Sequence, residues 1–471
     1  MKPEASAARH STEKADSPGF PVFRAARLRG FVFLCYRLLS SLGYWLTRRF
    51  TKPGYWLLGG LFATAMLGVD TEQSLAYQIF TFLLALLAVS LATSVMFRGR
   101  FAARRILPRF GTAGVPVSYQ LVVENLTSQV QSSLLALENL ADPRPTREEY
   151  IARQIAEEKR LKSLRFTRRR SHRSPAMAAV KEQPLPLLAP HSETEVRMEL
   201  VPLKRGQVRL EGVTIGRPDP LGVFKSFKFL PLPQSLLVLP KRYPLPPIAL
   251  PGTMKYQQGG VALAASVGES EEFVSLRDYR PGDPLRHIHW KSWARTGRPI
   301  VKEFQEEFFV RHALILDTFS DGELEEVFEE AVSVAASFAC TIQTQESLLD
   351  LMFVGPQAYC FTSGRGLAHA DQMLEILASV KVCHDKPFGS LQRLVLDHLS
   401  GLSGCICIFL AWDEARKNFV EQLKMFGIPL LVLIITEPGK AESIDAGSVR
   451  GELARVHALE AGKIAEGLAQ L

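Results

Sequence analysis

HALILD, residues 312–317, is a short apolar run that ends on an acid. LLDLMFVG (348–355), GCICIFLAW (404–412) and IPLLVLII (428–435) repeat its character. Continuous apolar runs of this length suit strands buried on both faces, as in a parallel sheet. Amphipathic stretches separate them. Residues 323–344 place Val327, Ala331, Val334 and Phe338 at helical spacing, and 371–380, 390–400 and 413–426 also read as helices. Strand and helix in alternation predict a doubly wound α/β domain over 311–471. Such sheets bind ligands beyond the carboxyl ends of their strands, which directs attention to Asp317 and Asp413.

Upstream the pattern changes. VSYQLVVEN (117–125), TEVRMELVPL (194–203) and GQVRLEGVTIG (206–216) alternate apolar and polar residues, and PQSLLVLPK (233–241) is a short run between prolines. Several such strands separated by Pro and Gly predict a β-sandwich-like domain over 111–256. A basic insertion, 141–190, interrupts it. Within that insertion RLKSLRFTRRRSHR (160–173) holds seven Lys or Arg in fourteen residues. With Phe166 as its one aromatic, the tract does not suit stacking on bases. It fits an anionic phospholipid surface better than nucleic acid.

Residues 1–52 form a basic cytosolic leader that begins with a polar, disordered stretch, and 30–46 has the character of an amphipathic helix on a membrane surface. Two uncharged apolar runs follow, seventeen residues at 53–69 and twenty-two at 76–97. These predict an N-terminal transmembrane helical hairpin over 53–97. Arg37, Arg48, Arg49 and Lys52 precede it, and Arg98, Arg100, Arg104, Arg105 and Arg109 follow, while the connecting loop holds Asp70 and Glu72. The basic flanks place both termini and the bulk of the chain in the cytosol.

The whole sequence has 471 residues, of which 47% are hydrophobic and 22% charged, with a formal net charge of +8. Much of that excess lies beside the apolar runs and in the insertion. Six cysteines occur without zinc spacing, and most sit in apolar runs, as small reduced hydrophobes do. A Walker A loop, an H-E-x-x-H pair and a G-x-S-x-G elbow are all absent from the sequence.

RDYRPGDPLRHIHW (277–290) concentrates residue types used in catalysis. Pro281-Gly282 suits the centre of a type II turn, and Asp283-Pro284 suits a helix start. A helix through 285–295 that stops near Gly297 would point His287 and His289 in opposite directions, against shared metal ligation. Asp283 and His287 could pair, but Ser292 is the only nearby nucleophile. A hydrolase or nuclease that uses the 277–295 cluster is one alternative; a strand-turn-helix joint over 257–310 is the favoured reading.

Two resemblances follow from these residues. DTFSD (317–321) resembles the D-x-S-x-S start of a von Willebrand factor A domain, which implies a C-terminal α/β domain of that type. It also implies a Mg²⁺ site built from Asp317, Ser320, Asp321 and Asp413, degenerate because Phe319 and Asp321 replace the two serines. GESEEFVSLRDYRPGDPLRHIHWKSWARTGRPIVKEFQEE (268–307) resembles the bacterial domain-of-unknown-function family 58, and Arg217, Asp219, Pro220, Gly222 and Phe224 match that family's β-domain turn. The resemblance places its interaction signature at Arg277, Asp278, Tyr279, Arg280, Pro281, Gly282, Asp283, Arg286, Ile288, Trp290, Arg295 and Gly297. It implies partnership with a MoxR-type AAA+ ATPase and with other von Willebrand factor A proteins. The combined expectation is an inner-membrane-anchored, non-enzymatic adaptor with no catalytic residues and no cofactor, a bound Mg²⁺ being the one exception to weigh.

Overall fold

A computed structural model describes residues 21–67, 74–97, 99–142, 148, 150–151, 176–246, 273–283, 285–304, 311–320, 325–343, 348–363, 367–441, 444, 451 and 453–471. The chain is multidomain, with antiparallel, parallel and mixed pairing in its sheets. The 160–173 tract, Asp321, Pro284 and the 70–73 loop lie outside the described residues.

Three helices come first: α1 (Pro21–Arg49), α2 (Lys52–Leu67) and α3 (Ser74–Val95). Along α1, Leu34, Leu38, Leu42 and Trp45 are exposed at helical spacing. Among the described residues one helix, Leu75–Val95, is long and apolar enough to cross a membrane. Of the run 53–69, the described part is helical, within α2 (Lys52–Leu67). A Cβ added to Gly60 of α2 would meet Leu83 of α3 at 3.3 Å, so the glycine lets the two helices approach.

The alternating segments form two sheets. One has the order β1-β3-β7-β5, with β1 (Phe101–Ile106), β3 (Val117–Asn125), β5 (Ala178–Val180) and β7 (Glu193–Pro202). The other runs β2-β9-β8-β4-β6, with β2 (Phe110–Thr112), β4 (Leu134–Leu140), β6 (Gln183–Leu185), β8 (Gly206–Pro218) and β9 (Lys225–Leu239). Inward residues of both, including Leu121, Met198, Leu210, Ile215 and Leu236, share one core, as in a sandwich. Within it Arg105 makes a bidentate pair with Glu138, both side chains fully buried, and Tyr119 donates to the same carboxylate.

β10 (Phe273–Asp278) and β11 (Ile300–Phe304) pair antiparallel as a separate ribbon that encloses α4 (Trp290–Thr296). The C-terminal sheet has the order β14-β13-β12-β15-β16-β17. Its strands are β12 (Arg311–Leu316), β13 (Leu348–Val354), β14 (Ala358–Ser363), β15 (Gly404–Phe409), β16 (Leu430–Thr436) and β17 (Ala454–Glu460). All neighbouring pairs are parallel except β13 with β14 at one edge. Helices cover both faces: α5 (Glu325–Gln343), α6 (Leu367–Ser379), α7 (Gly389–Asp397), α8 (Glu414–Met425) and α9 (Ile464–Leu468). Alternate residues of β12 enter opposite cores, Leu314 and Leu316 one and Ala313 and Ile315 the other, which is why its sequence reads as continuously apolar.

The two domains are locked by residues of the β7–β8 turn. Arg205 donates to the carbonyls of Leu377 and Val380 at the C-terminus of α6 and pairs with Glu329 of α5 at 2.5 Å. A cation there complements the helix end, whose last carbonyls have no partners within the helix. Tyr243, beyond β9, adds a 2.5 Å hydrogen bond from its hydroxyl to Glu330.

Candidate functional site

The turn matched by Arg217, Asp219, Pro220, Gly222 and Phe224 joins β8 to β9 and meets the N-terminal helices. Asp219 is buried and accepts from the backbone N–H of Val223 at 2.6 Å and of Phe224 at 2.8 Å. Gly222 closes the turn at φ +68°, a left-handed conformation that favours glycine. Two carbonyls are thereby presented to the start of α2. The Thr51 N–H donates to Val223 O at 3.2 Å, and the Thr51 hydroxyl donates to Gly222 O. Phe224 packs edge-on against Phe50 at 5.2 Å, and Arg49 lies 5.5 Å from its ring centroid. At the end of α3, the Ser226 hydroxyl donates to Ser94 O at 2.9 Å. The turn and the first residues of β9 thus hold the ends of both apolar helices against the β-domain.

Within the expected strand-turn-helix unit, the 285–295 part folds differently from its expectation as one helix. Arg277 Nη1 and Nη2 donate to the two Asp283 oxygens at 2.7 and 2.9 Å, and the Arg280 N–H donates to Asp283 Oδ2 at 2.8 Å. Asp283 therefore closes the turn on its own strand and does not start a helix. The hydrogen bonds from Arg277 and Arg280 depress its pKa to about 2. Gly282 sits at φ +108°, as the Pro-Gly turn requires. Leu285–His287 forms a single 3₁₀ turn, and Ile288 then bridges Val301 of β11. That bridge interrupts the helical path, so α4 begins only at Trp290, with Gly297 ending it in the left-handed region as expected. His289 precedes α4 and its Nδ1 contacts the Ser292 hydroxyl at 2.6 Å.

The signature residues thus divide into two groups. Arg277, Gly282, Asp283, Ile288 and Gly297 shape the unit, and Tyr279 donates its N–H to Pro299 O at 2.9 Å to hold the ribbon end. Asp278, Arg280, Pro281, Arg286, Trp290 and Arg295 are exposed. Trp290 is 63% exposed and stacks on Trp293 at 5.2 Å, with Leu285 68% exposed beside the turn. Residues 273–304 contain seven Lys or Arg against three Asp or Glu, so this aromatic surface is basic.

The order of the C-terminal sheet reverses between β12 and β15, and there the carboxyl ends carry a third cluster. Asp317 is fully buried just past β12. Its Oδ1 accepts from Phe319 N–H at 2.9 Å, and its Oδ2 accepts from Leu410 N–H at 3.2 Å and from Arg416 Nε at 2.7 Å. Asp413 caps α8 by accepting from the Arg416 N–H at 3.0 Å, and it takes Arg416 Nη1 at 2.6 Å. Burial pushes the Asp317 carboxyl above its ordinary range while Arg416 opposes that push. Burial pulls on the guanidinium in turn, and the two carboxylates hold its pKa above the usual arginine value. Of the expected metal set, Asp317 and Asp413 do converge, but on Arg416. Ser320 directs its carbonyl toward His384 Nδ1 at 3.1 Å. No group of three or more metal-ligating side chains occurs among the described residues. The sequence reading missed Arg416, although a cation in the first turn of a helix opposes the macrodipole and signals a carboxylate nearby. Beside this cluster a cleft of about 400 Å³ is lined by Leu410, Trp412, Lys417, Ile434, Glu437 and Lys440.

The family model "Protein of unknown function DUF58" matches residues 275–401. "Uncharacterized protein YeaD" of Bacillus subtilis (strain 168) is 28% identical over 184 residues, covering 38% of this chain and 44% of that relative's length. Among solved structures, the SpRpn10 VWA domain is similar at 12% identity, covering 35% of this chain and 98% of that one, with a TM-score of 0.27. The PapD-like domain 7 of human CEP192 is similar at 14% identity, covering 29% and 82%, with a TM-score of 0.16. The part of the chain that is similar to this family, residues 275–401, runs from the ribbon that carries Arg277 and Asp283 to the threshold of β15.

Proposed function

We propose that the chain is a membrane-anchored, non-enzymatic adaptor that seats a partner protein on the exposed basic and aromatic surface of its DUF58 segment. The observation that carries the reading is the joining of the apolar helices to the β-domain, by the Asp219 turn at Thr51 and by Ser226 of β9 at Ser94. In this reading α2 and α3 cross the bacterial inner membrane as a hairpin, with the basic flanks and folded domains in the cytosol. A von Willebrand factor A-like role for the C-terminal domain as an interaction module follows from its sheet order and its DTFSD start.

The partner we favour is a MoxR-type AAA+ ATPase, from the family resemblance, with Trp290, Arg280, Arg286 and Arg295 as contact residues. An exposed aromatic flanked by arginines is the composition of an interface anchor. The 160–173 tract would add contact with anionic phospholipid. The full chain purified in detergent should retain a MoxR-type ATPase and change its ATPase rate, and Trp290→Ala with Arg295→Glu should weaken both effects. Absence of association together with an unchanged ATPase rate overturns the partnership. The topology is tested by thiol labelling: a cysteine placed at residue 72 should react from outside the cell, and one placed at Ser118 only after permeabilisation.

A further inference from the structure

We propose that Arg416 is a resident cation that fills the position a dication would take at the β12–β15 switch point, so that this edge of the sheet is set permanently and works without metal. Both oxygens of the Asp317 carboxylate are already engaged, with three of its roughly four acceptor positions taken. Oδ1 is held by the Phe319 N–H, and Oδ2 by the Leu410 N–H and Arg416 Nε. Asp413 gives one oxygen to the Arg416 N–H and the other to Nη1. The nearest carbonyl, Phe319 O, accepts Arg416 Nη2 at 3.2 Å. A hard dication requires oxygens at about 2.0–2.6 Å converging on one point, and here that convergence is on guanidinium nitrogens. The Phe388 ring, centred 4.8 Å from Cζ of Arg416, covers the cation on another side.

Electrostatics works in the same direction. The guanidinium side chain is only 7% exposed and pairs with a fully buried carboxylate. A doubly charged ion at the same carboxylates would face a fixed positive charge with little water between them. Arginine also suits the position chemically, because its planar fork reaches Asp317, Asp413 and Phe319 O together, which a point charge cannot do. An exchangeable ion would let chelation or ion concentration control this face. A covalently attached cation removes that control, and a partner seated here should bind equally in Mg²⁺ and in EDTA.

The full-length protein in detergent decides the matter. Titrated with Mn²⁺ and followed by the paramagnetic resonance of the free ion, wild type and Asp413→Asn should take up the same amount. Mn²⁺ uptake by wild type that Asp413→Asn abolishes overturns the proposal. Thermal unfolding of wild type should be the same in 5 mM Mg²⁺ as in EDTA, to within about 1 °C. Arg416→Gln should lower the midpoint by about 10 °C, since it leaves a buried carboxylate unpaired. A midpoint unchanged by Arg416→Gln also overturns the proposal. Should that variant not accumulate as folded protein, Arg416→Lys decides: it keeps a cation, and should fold and remain indifferent to Mg²⁺. An Arg416→Lys protein that needs Mg²⁺ to fold would show that the site takes a dication.

Discussion

Gly54 at the start of α2 lies against the carbonyl of Val223 so closely that an added Cβ would sit 2.3 Å from the oxygen. The contact is to backbone, which cannot swing aside, so the Asp219 turn and the first turn of α2 fit only if this residue has no side chain. Val223 O also accepts the Thr51 N–H, so contact and hydrogen bond act at one point.

Gly54→Val should therefore destabilise the joint by about 1–3 kcal/mol. Hydrogen exchange should become faster at the amides of Val223 and Phe224. Gly59→Val, five residues along the same helix where an added Cβ meets nothing within 4 Å, is the control and should change neither property.

Arg205→Ala should cost about 3 kcal/mol, because it orphans two helix-end carbonyls and the Glu329 partner at the domain interface. Burial draws the Arg205 pKa down and Glu329 opposes it. Arg205→Lys should recover only part of the loss, since a point charge cannot reach Leu377, Val380 and Glu329 together. Limited proteolysis near 204–206, compared across the three proteins, measures the loosening.

The Arg105–Glu138 pair tests how the sandwich core tolerates charge. Glu138→Leu alone should destabilise by about 3–5 kcal/mol, because Arg105 is left buried and uncompensated. Arg105→Met combined with Glu138→Leu should recover most of that, and a double variant no more stable than the single one would refute the account. Denaturant unfolding of all three proteins gives the values.

His312 on β12 is 2% exposed, and its Nδ1 is buried without a hydrogen-bond partner. Burial lowers its pKa from 6.5 to about 4. The unfolded state then binds the extra proton between these values, so stability is fully present above pH 6.5 and falls as pH drops toward 4. The loss should reach about 3 kcal/mol. His312→Leu should flatten stability over that window, and an unchanged pH profile in the variant would contradict the assignment.

The sequence by itself determined the elements whose burial is written in their own period. The runs ending at Asp317 and Trp412 are apolar throughout because both faces of their sheet are covered, and 117–125 alternates because one face is not. Gly282 and Gly297 were legible too, since turn and helix end both need a left-handed residue. Tertiary structure decided the rest. The helix expected from Asp283 is cut short because Ile288 pairs with Val301 across the ribbon, a contact that local propensity does not encode. Apolar length does not encode where the run 53–69 is held: Thr51 and Gly54 dock its start against the β-domain. Asp317 was visible at a strand end, but its partner Arg416 lies 99 residues away. Only the side-by-side placement of β12 and β15 brings guanidinium and carboxylate together as a buried pair.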